Sequence, residues 1–275
     1  MLLAAICTGM LTDSLIYAST FNALTVHYLD DEFRQMELGG DVKELSRLAK
    51  EWNTDFGSVA AAFLADSANG IKTGSFTKDR FVKVKNNLFR HEYENFCGAS
   101  EVYNGILDCL EVFPVAQADT MSFGDSFGSE RTFGGKRSHE GTDIMPPVNE
   151  RGVYPVLSVC GGTVENVGWL TLGGYRIGIR SDTGIYFYYA HLQSYSGDFK
   201  PGDRVKAGEI LGLMGDSGYG AEGTVGEFDV HLHFGIYISD KDGNEMSVNP
   251  YPYLLYLKEI RVRIYPYLLY LKEIP

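Results

Sequence analysis

An α+β chain, with a small N-terminal helical domain followed by a mostly antiparallel β domain, is predicted by three observations. Apolar residues recur at helical spacing up to about Leu110, and beyond Phe113-Pro-Val-Ala-Gln-Ala-Asp119 they alternate instead. Glycines then cut the later sequence into strand-length pieces. The third observation is bulk: 275 residues, 44% hydrophobic and 13% aromatic, suffice for two modest domains with a sizeable core. The composition shift places a helical domain over 21–118 and a β domain over 119–258.

Met1 to Leu11 is apolar but has no basic start and is far shorter than the ~20 residues that span a bilayer. It reads equally as a signal or membrane-anchor remnant over 1–20 and as an ordinary buried helix. Asp41 and Glu44 then form a capping box that opens a helix with Val42, Leu45, Leu48 and Trp52 on one face. A second helix is expected over Ser58 to Leu64, and a third on the face Phe81, Val84 and Leu88. Ser100 is expected to start a fourth, with Val102, Ile106 and Leu110 inward. No chemical motif falls in this domain, so it reads as a spacer or packing module ahead of an inhibitory or partner-binding one.

Strands are expected at Val153 to Val159, Thr163 to Val167, Tyr175 to Arg180, Ile185 to His191, Ile210 to Met214 and Val230 to Ile238. Short glycine-bounded strands of this kind suit a sheet or flattened barrel with a groove on one exposed face. Cys7, Cys97, Cys109 and Cys160 have neither metal-ligand spacing nor the density of a disulfide scaffold. Cys160 reads as a small core hydrophobe, and Cys97 with Cys109 could pair only if helix geometry brought them together. At the end, 251–260 recurs as 265–274, a single repeat too short for a solenoid, which marks 259–275 as a duplicated tail. A formal charge of -12 argues against a nucleic-acid or anionic-membrane binder.

Two clusters carry the chemistry: His139-Glu-Gly-Thr-Asp143, and His231-Leu-His233 inside a β-branched, aromatic run. A catalytic zinc needs three imidazole or carboxylate ligands and one open position, which His139, Asp143 and one of the paired histidines supply. Alternation along a strand puts His231 and His233 on one face and turns Leu232 and Phe234 into a hydrophobic layer. Gly134, Gly135, Gly141 and Pro146-Pro147 favour a loop for the first cluster, leading into a strand. His191, in Tyr189-Ala-His-Leu192, is expected where a strand ends near the same face. Of six histidines, His27 and His91 lie outside these places and read as surface or core residues. Tyr186, Tyr188, Tyr189 and Trp169 could line a groove, although alternating aromatics in strands are more often core.

These motifs closely resemble the lysostaphin or LytM type of zinc metallopeptidase, whose pattern is His-x-x-x-Asp, a later lone His and His-x-His. The approach Arg131-Thr-Phe-Gly-Gly-Lys-Arg-Ser-His139 and the segment Gly202 to Gly215 resemble it too, so the likeness covers roughly Phe123 to Tyr253. The resemblance implies a lysostaphin-type peptidase domain in which His139, Asp143 and His233 bind one zinc and His191 and His231 form the catalytic pair. It implies peptidoglycan peptides as substrate, and an extracellular or cell-envelope protein, anchored if at all through a missing or truncated N-terminal segment. Zinc can lower the pKa of its water to about 7, with His231 expected as general base and His191 as oxyanion hydrogen-bond donor, roles the sequence leaves exchangeable. Glu140 is a weaker candidate for the base. One departure is the expanded stretch Tyr219 to Asp229, where many relatives have a short linker, and it bears on groove shape rather than on the metal. Two other readings are weighed: a non-catalytic wall or sporulation assembly scaffold, which the complete ligand set disfavours, and a lipoyl-like carrier around Lys206, which would not use four clustered histidines.

Overall fold

The computed structural model describes residues 24–260 apart from 27, 39–40, 68–69 and 133–134. His27, Cys7, the apolar start and the second copy of the C-terminal repeat lie outside the described residues. The chain forms two compact units, 24–30 with 41–104, and 31–40 with 105–260.

The first unit is helical. Helix α1 (Asp31–Arg34) belongs to the second unit, so the series here starts with α2 (Val42–Trp52), where the Asp41 carboxylate accepts from Glu44 N at 2.9 Å. Its expected face is buried. Helix α3 (Phe56–Ser67) starts two residues before the expected run because Asp55 caps it, its Oδ1 accepting from Ser58 N at 2.7 Å. Helix α4 (Lys78–His91) follows, burying Phe81, Val84 and Leu88 and leaving His91 exposed. Trp52 stacks on Phe81 at 5.4 Å and Phe63 meets Phe76 edge-on at 5.4 Å, an aromatic centre worth about 0.5–1.5 kcal/mol per pair beyond area burial. The fourth helix, α5 (Tyr93–Cys109), starts seven residues before the expected Ser100. Ser100 Oγ donates to Phe96 O at 2.7 Å, so this serine bonds back along a helix already formed instead of capping it.

The second unit is built on a nine-stranded antiparallel sheet with the path β11–β10–β7–β6–β5–β8. Its strands are β3 (Thr142–Ile144), β4 (Pro155–Leu157), β5 (Gly162–Leu170), β6 (Gly174–Ser181), β7 (Tyr186–Tyr195), β8 (Arg204–Val205), β9 (Ile210–Met214), β10 (Leu232–Ser239) and β11 (Glu245–Val248). β3 pairs with β10, while β9 bridges β4 and β7. A separate two-stranded ribbon joins β1 (Glu130–Arg131) to β2 (Arg137–Ser138). The six expected strands are all present; β4 is shorter than its sequence run, and its register slips at Val156/Leu157. Residues 251–260 form helix α6, which buries Tyr253, Leu254 and Leu257, so the first copy of the repeat is an ordinary packed helix.

Alternation gives the sheet one dry face. Phe187 stacks on Phe234 at 6.2 Å, Tyr189 meets Phe234 at 5.4 Å, and Leu232, Ile236, Ile177 and Ile179 are fully buried beside them. Burial of each such side chain contributes about 1.5–3 kcal/mol and fixes the register that aims the opposite face. Cys160 is buried in this unit as expected. Cys97 and Cys109 are free thiols more than three turns apart on α5, well beyond the ~7 Å Cα limit for a bridge, so that expected pairing does not form.

Candidate active site

On the other face of the sheet, His233, Gly235 and Tyr237 of β10 lie in register with Ala190, Tyr188 and Tyr186 of β7. β3 runs along the opposite edge of β10, and its Asp143 pairs directly with His233. The first cluster is therefore only partly a loop: His139 sits in one, but Asp143 is on a strand. A three-residue strand has no periodicity to read, and its ladder comes wholly from β10. Gly141 permits the approach, since a Cβ there would lie 2.6 Å from Phe234 O and 2.7 Å from His233 Cε1.

Three atoms converge at this edge. His139 Nε2 is 3.0 Å from Asp143 Oδ1 and 3.0 Å from His233 Nδ1, and His233 Nδ1 is 3.1 Å from Asp143 Oδ1. His139 Nδ1 lies 3.0 Å from Ser126 O; a carbonyl only accepts, so Nδ1 carries the proton and Nε2 turns a lone pair inward. A tetrahedral centre with bonds of about 2.0–2.1 Å places its ligand atoms roughly 3.3 Å apart, so the trio fits a single divalent ion with small adjustment. The same three residues form the one candidate metal group among the described residues. Burial acts to raise the Asp143 pKa, but the adjoining imidazoles of His139 and His233 outweigh it and hold the carboxyl far below its usual range. Its other oxygen accepts from Arg131 Nη2 at 2.6 Å, an outer contact that fixes the carboxylate plane.

His191 and His231 stand beside this trio, their rings 4.7 Å apart and His191 6.0 Å from His233. β7 does not end at His191 but runs on to Tyr195, and His191 takes a left-handed backbone with φ 63°. That strained conformation swings the imidazole toward the centre and is held by His191 N donating to Gly173 O at 2.8 Å. Ring Nδ1 of His191 donates to Ser217 O at 2.8 Å, and Nδ1 of His231 to Asp229 O at 2.7 Å. Both rings thus present Nε2 lone pairs in their neutral forms. Burial, reinforced by His231 and His233, pushes the His191 pKa well below the usual imidazole value.

The site opens on a groove of about 720 Å³. Tyr186 and Tyr188 line it, Tyr188 meeting His233 edge-on at 5.9 Å. Tyr189 is in the core instead, its hydroxyl accepting from Val159 N at 2.9 Å, and Trp169 packs on Tyr175 at 5.0 Å. Sequence reasoning missed how the expanded stretch closes the site: Phe228 lies 4.6 Å from the His191 ring and 5.1 Å from His231, and Tyr219 covers Phe228 at 4.7 Å. Aromatics at both ends of a glycine-rich insertion were the available signal. Glu140 is exposed on the groove wall beside His139. A second depression of about 760 Å³, beside Asn149, Arg151 and Asp216, contains no histidine.

Residues 137–250 match the family model described as peptidase family M23. Over 142 residues the chain is 44% identical to an L-Ala--D-Glu endopeptidase of Bacillus subtilis, a match covering 52% of this chain and 42% of that protein. It is 31% identical over 118 residues to lysostaphin of Staphylococcus simulans, covering 42% of this chain and 21% of that protein. The chain thus spans about two fifths or less of the length of these curated relatives. Among solved structures, a Ruminococcus gnavus protein described as a glycyl-glycine endopeptidase lytM aligns with a TM-score of 0.70 at 35% identity, covering 87% of this chain and 96% of that one.

Proposed function

Because this chain belongs to peptidase family M23, we propose that it is a zinc-dependent endopeptidase hydrolysing peptide bonds in the stems or cross-links of bacterial peptidoglycan. The observation that carries the reading is the meeting of His139, Asp143 and His233 within 3.0–3.1 Å, with two more imidazoles beside them. Those three residues would hold the ion. Zinc, when bound, supplies a Lewis acid that polarises a carbonyl and makes water acidic enough to attack near neutral pH.

The chain's own residues handle the proton. With Nδ1–H tied to a carbonyl, a neutral His191 has no proton on Nε2 to give an oxyanion, so the simple division of labour expected from the sequence is modified. His231, the more exposed ring, takes the proton of the attacking water at Nε2 and then offers that N–H to the developing charge, with His191 able to share it. The carbonyls of Ser217 and Asp229 orient both rings for this exchange. Phe228 and Tyr219 exclude bulk water from one side, which strengthens every polar contact inside.

A peptidoglycan substrate implies work at the cell envelope. Among the described residues no helix is long and apolar enough to cross a membrane. The deciding experiment is elemental analysis for zinc followed by digestion of purified muropeptides, with the new termini identified by mass spectrometry. One zinc per chain and new peptide termini are expected. A zinc-loaded, folded protein that releases no new termini from any bridge chemistry would replace this reading with the scaffold one.

A further inference from the structure

The charges of the groove are not paired off evenly. Arg131 is neutralised by Asp143, and Glu245 by Arg180, which lies outside the groove lining. Arg176 and Arg137 also line the groove, and neither forms an ion pair among the described residues. Arg137 Nη2 donates to Tyr219 Oη at 3.2 Å, but its Nε is buried with no hydrogen-bond partner. Nη1 of Arg176 is likewise buried and unpartnered. Glu140 is the groove's one acid without an ion pair among the described residues, and it is exposed. In a chain of net charge -12, a groove whose arginines balance its acids, with two of the guanidiniums outside any ion pair among the described residues, stands apart.

Register places Arg176 with respect to the reacting centre. β10 puts His233 opposite Ala190 of β7, and β7 pairs Leu192 with Tyr175 and Tyr189 with Ile177, so Arg176 faces the bulge formed by Ala190 and His191. Arg176 is therefore two strands from His233, roughly 10 Å at ~4.8 Å per strand, or within about two residues of the scissile bond along an extended peptide. Tyrosine rings cover the glycines of this floor: a Cβ on Gly178 would collide with the Tyr186 hydroxyl, and one on Gly235 would meet the Tyr237 ring.

We propose that Arg176, assisted by Arg137, is a carboxylate receptor that selects peptides bearing a free acid within two residues of the cleaved bond over neutral, all-glycine bridges. An arginine on the groove wall without an ion pair can take one from a ligand, and the guanidinium fork matches a carboxylate in shape and charge. A glycine bridge has nothing for it to bind. The inference rests on the endopeptidase reading for the location of the scissile bond, and acts as a positioning and specificity device within it.

The test uses metal-free full-length protein and calorimetric binding of three probes. They are end-blocked L-Ala-γ-D-Glu-L-Lys-D-Ala, the same peptide with the D-Glu carboxylate converted to carboxamide, and tetraglycine. The acid is expected to bind at least tenfold tighter than the amide or tetraglycine, with the advantage shrinking as salt rises. Arg176→Gln should bind acid and amide alike, and Arg176→Lys should keep part of the preference. Wild-type protein that binds acid and amide within twofold overturns the proposal, and needs no folded variant to do so; so does an Arg176→Gln protein that retains the full preference. If zinc-loaded wild type binds the acid selectively but cleaves none of the probes or muropeptides, the endopeptidase reading falls and the receptor stands. With cleavage present, the variant should raise KM for the acid peptide while leaving kcat nearly unchanged.

Discussion

At the scale of single residues, the site depends on what Gly141 lacks. Gly141→Ala would push its new carbon into Phe234 O and the His233 ring. The expected result is about 1–3 kcal/mol of lost stability and weaker metal retention, read as a lower melting temperature and reduced zinc by elemental analysis. His233→Ala should lose the ion outright. His191→Ala should keep it while turnover falls about 10²- to 10⁴-fold, and normal cleavage by both variants would refute the assigned roles. The residue types and spacings of the five candidate positions that the fold brings together were legible in the sequence, because each is a rare residue in a short motif. The tautomers were not: they follow from Ser126, Ser217 and Asp229 carbonyls brought close by folding. Nor was the left-handed backbone at His191, which no local sequence rule demands of a histidine.

At the scale of elements, caps and periodicity were readable and short or long-range pieces were not. Helix α2 begins where Asp41 and Glu44 said it would, and β9 matches its expected span, since both announce themselves locally. The beginning of α5 was misplaced because a mid-helix serine looks like a cap until its hydroxyl is seen bonding to Phe96 O. β3, β8 and β11 have two to four residues and exist through their partners. The cap of α3 yields a pH prediction. Burial raises the Asp55 pKa, but hydrogen bonds from Ser58 and Asn104 prevail and lower it below the ordinary 3.8. A carboxyl depressed on folding contributes stability that is present above its unfolded pKa and lost as pH falls through the folded value. Asp55→Ala should therefore cost about 1 kcal/mol at pH 7, and the gap in melting temperature to wild type should narrow as the pH is taken below 3.8. A gap that is constant with pH would mean that the carboxylate charge contributes nothing to the cap.

At the scale of the molecule, the chemistry is concentrated in the second unit, and the second copy of the repeat lies outside the described residues. Removal of 265–275, the second copy of the repeat, should leave hydrolysis intact; an inactive but folded truncation would show that the duplicated segment has a role. The pairing of Asp143 with His233 reaches further. The two lie 90 residues apart in sequence, and an ion held between them and His139 would close that loop as a crosslink does, without a covalent bond. Loading the protein with zinc should then do more than enable turnover: it should staple a three-residue edge strand to the sheet and shield the backbone around 139–146 from added protease. Chelator should reverse that shielding, nicking the chain at the mouth of its own catalytic groove.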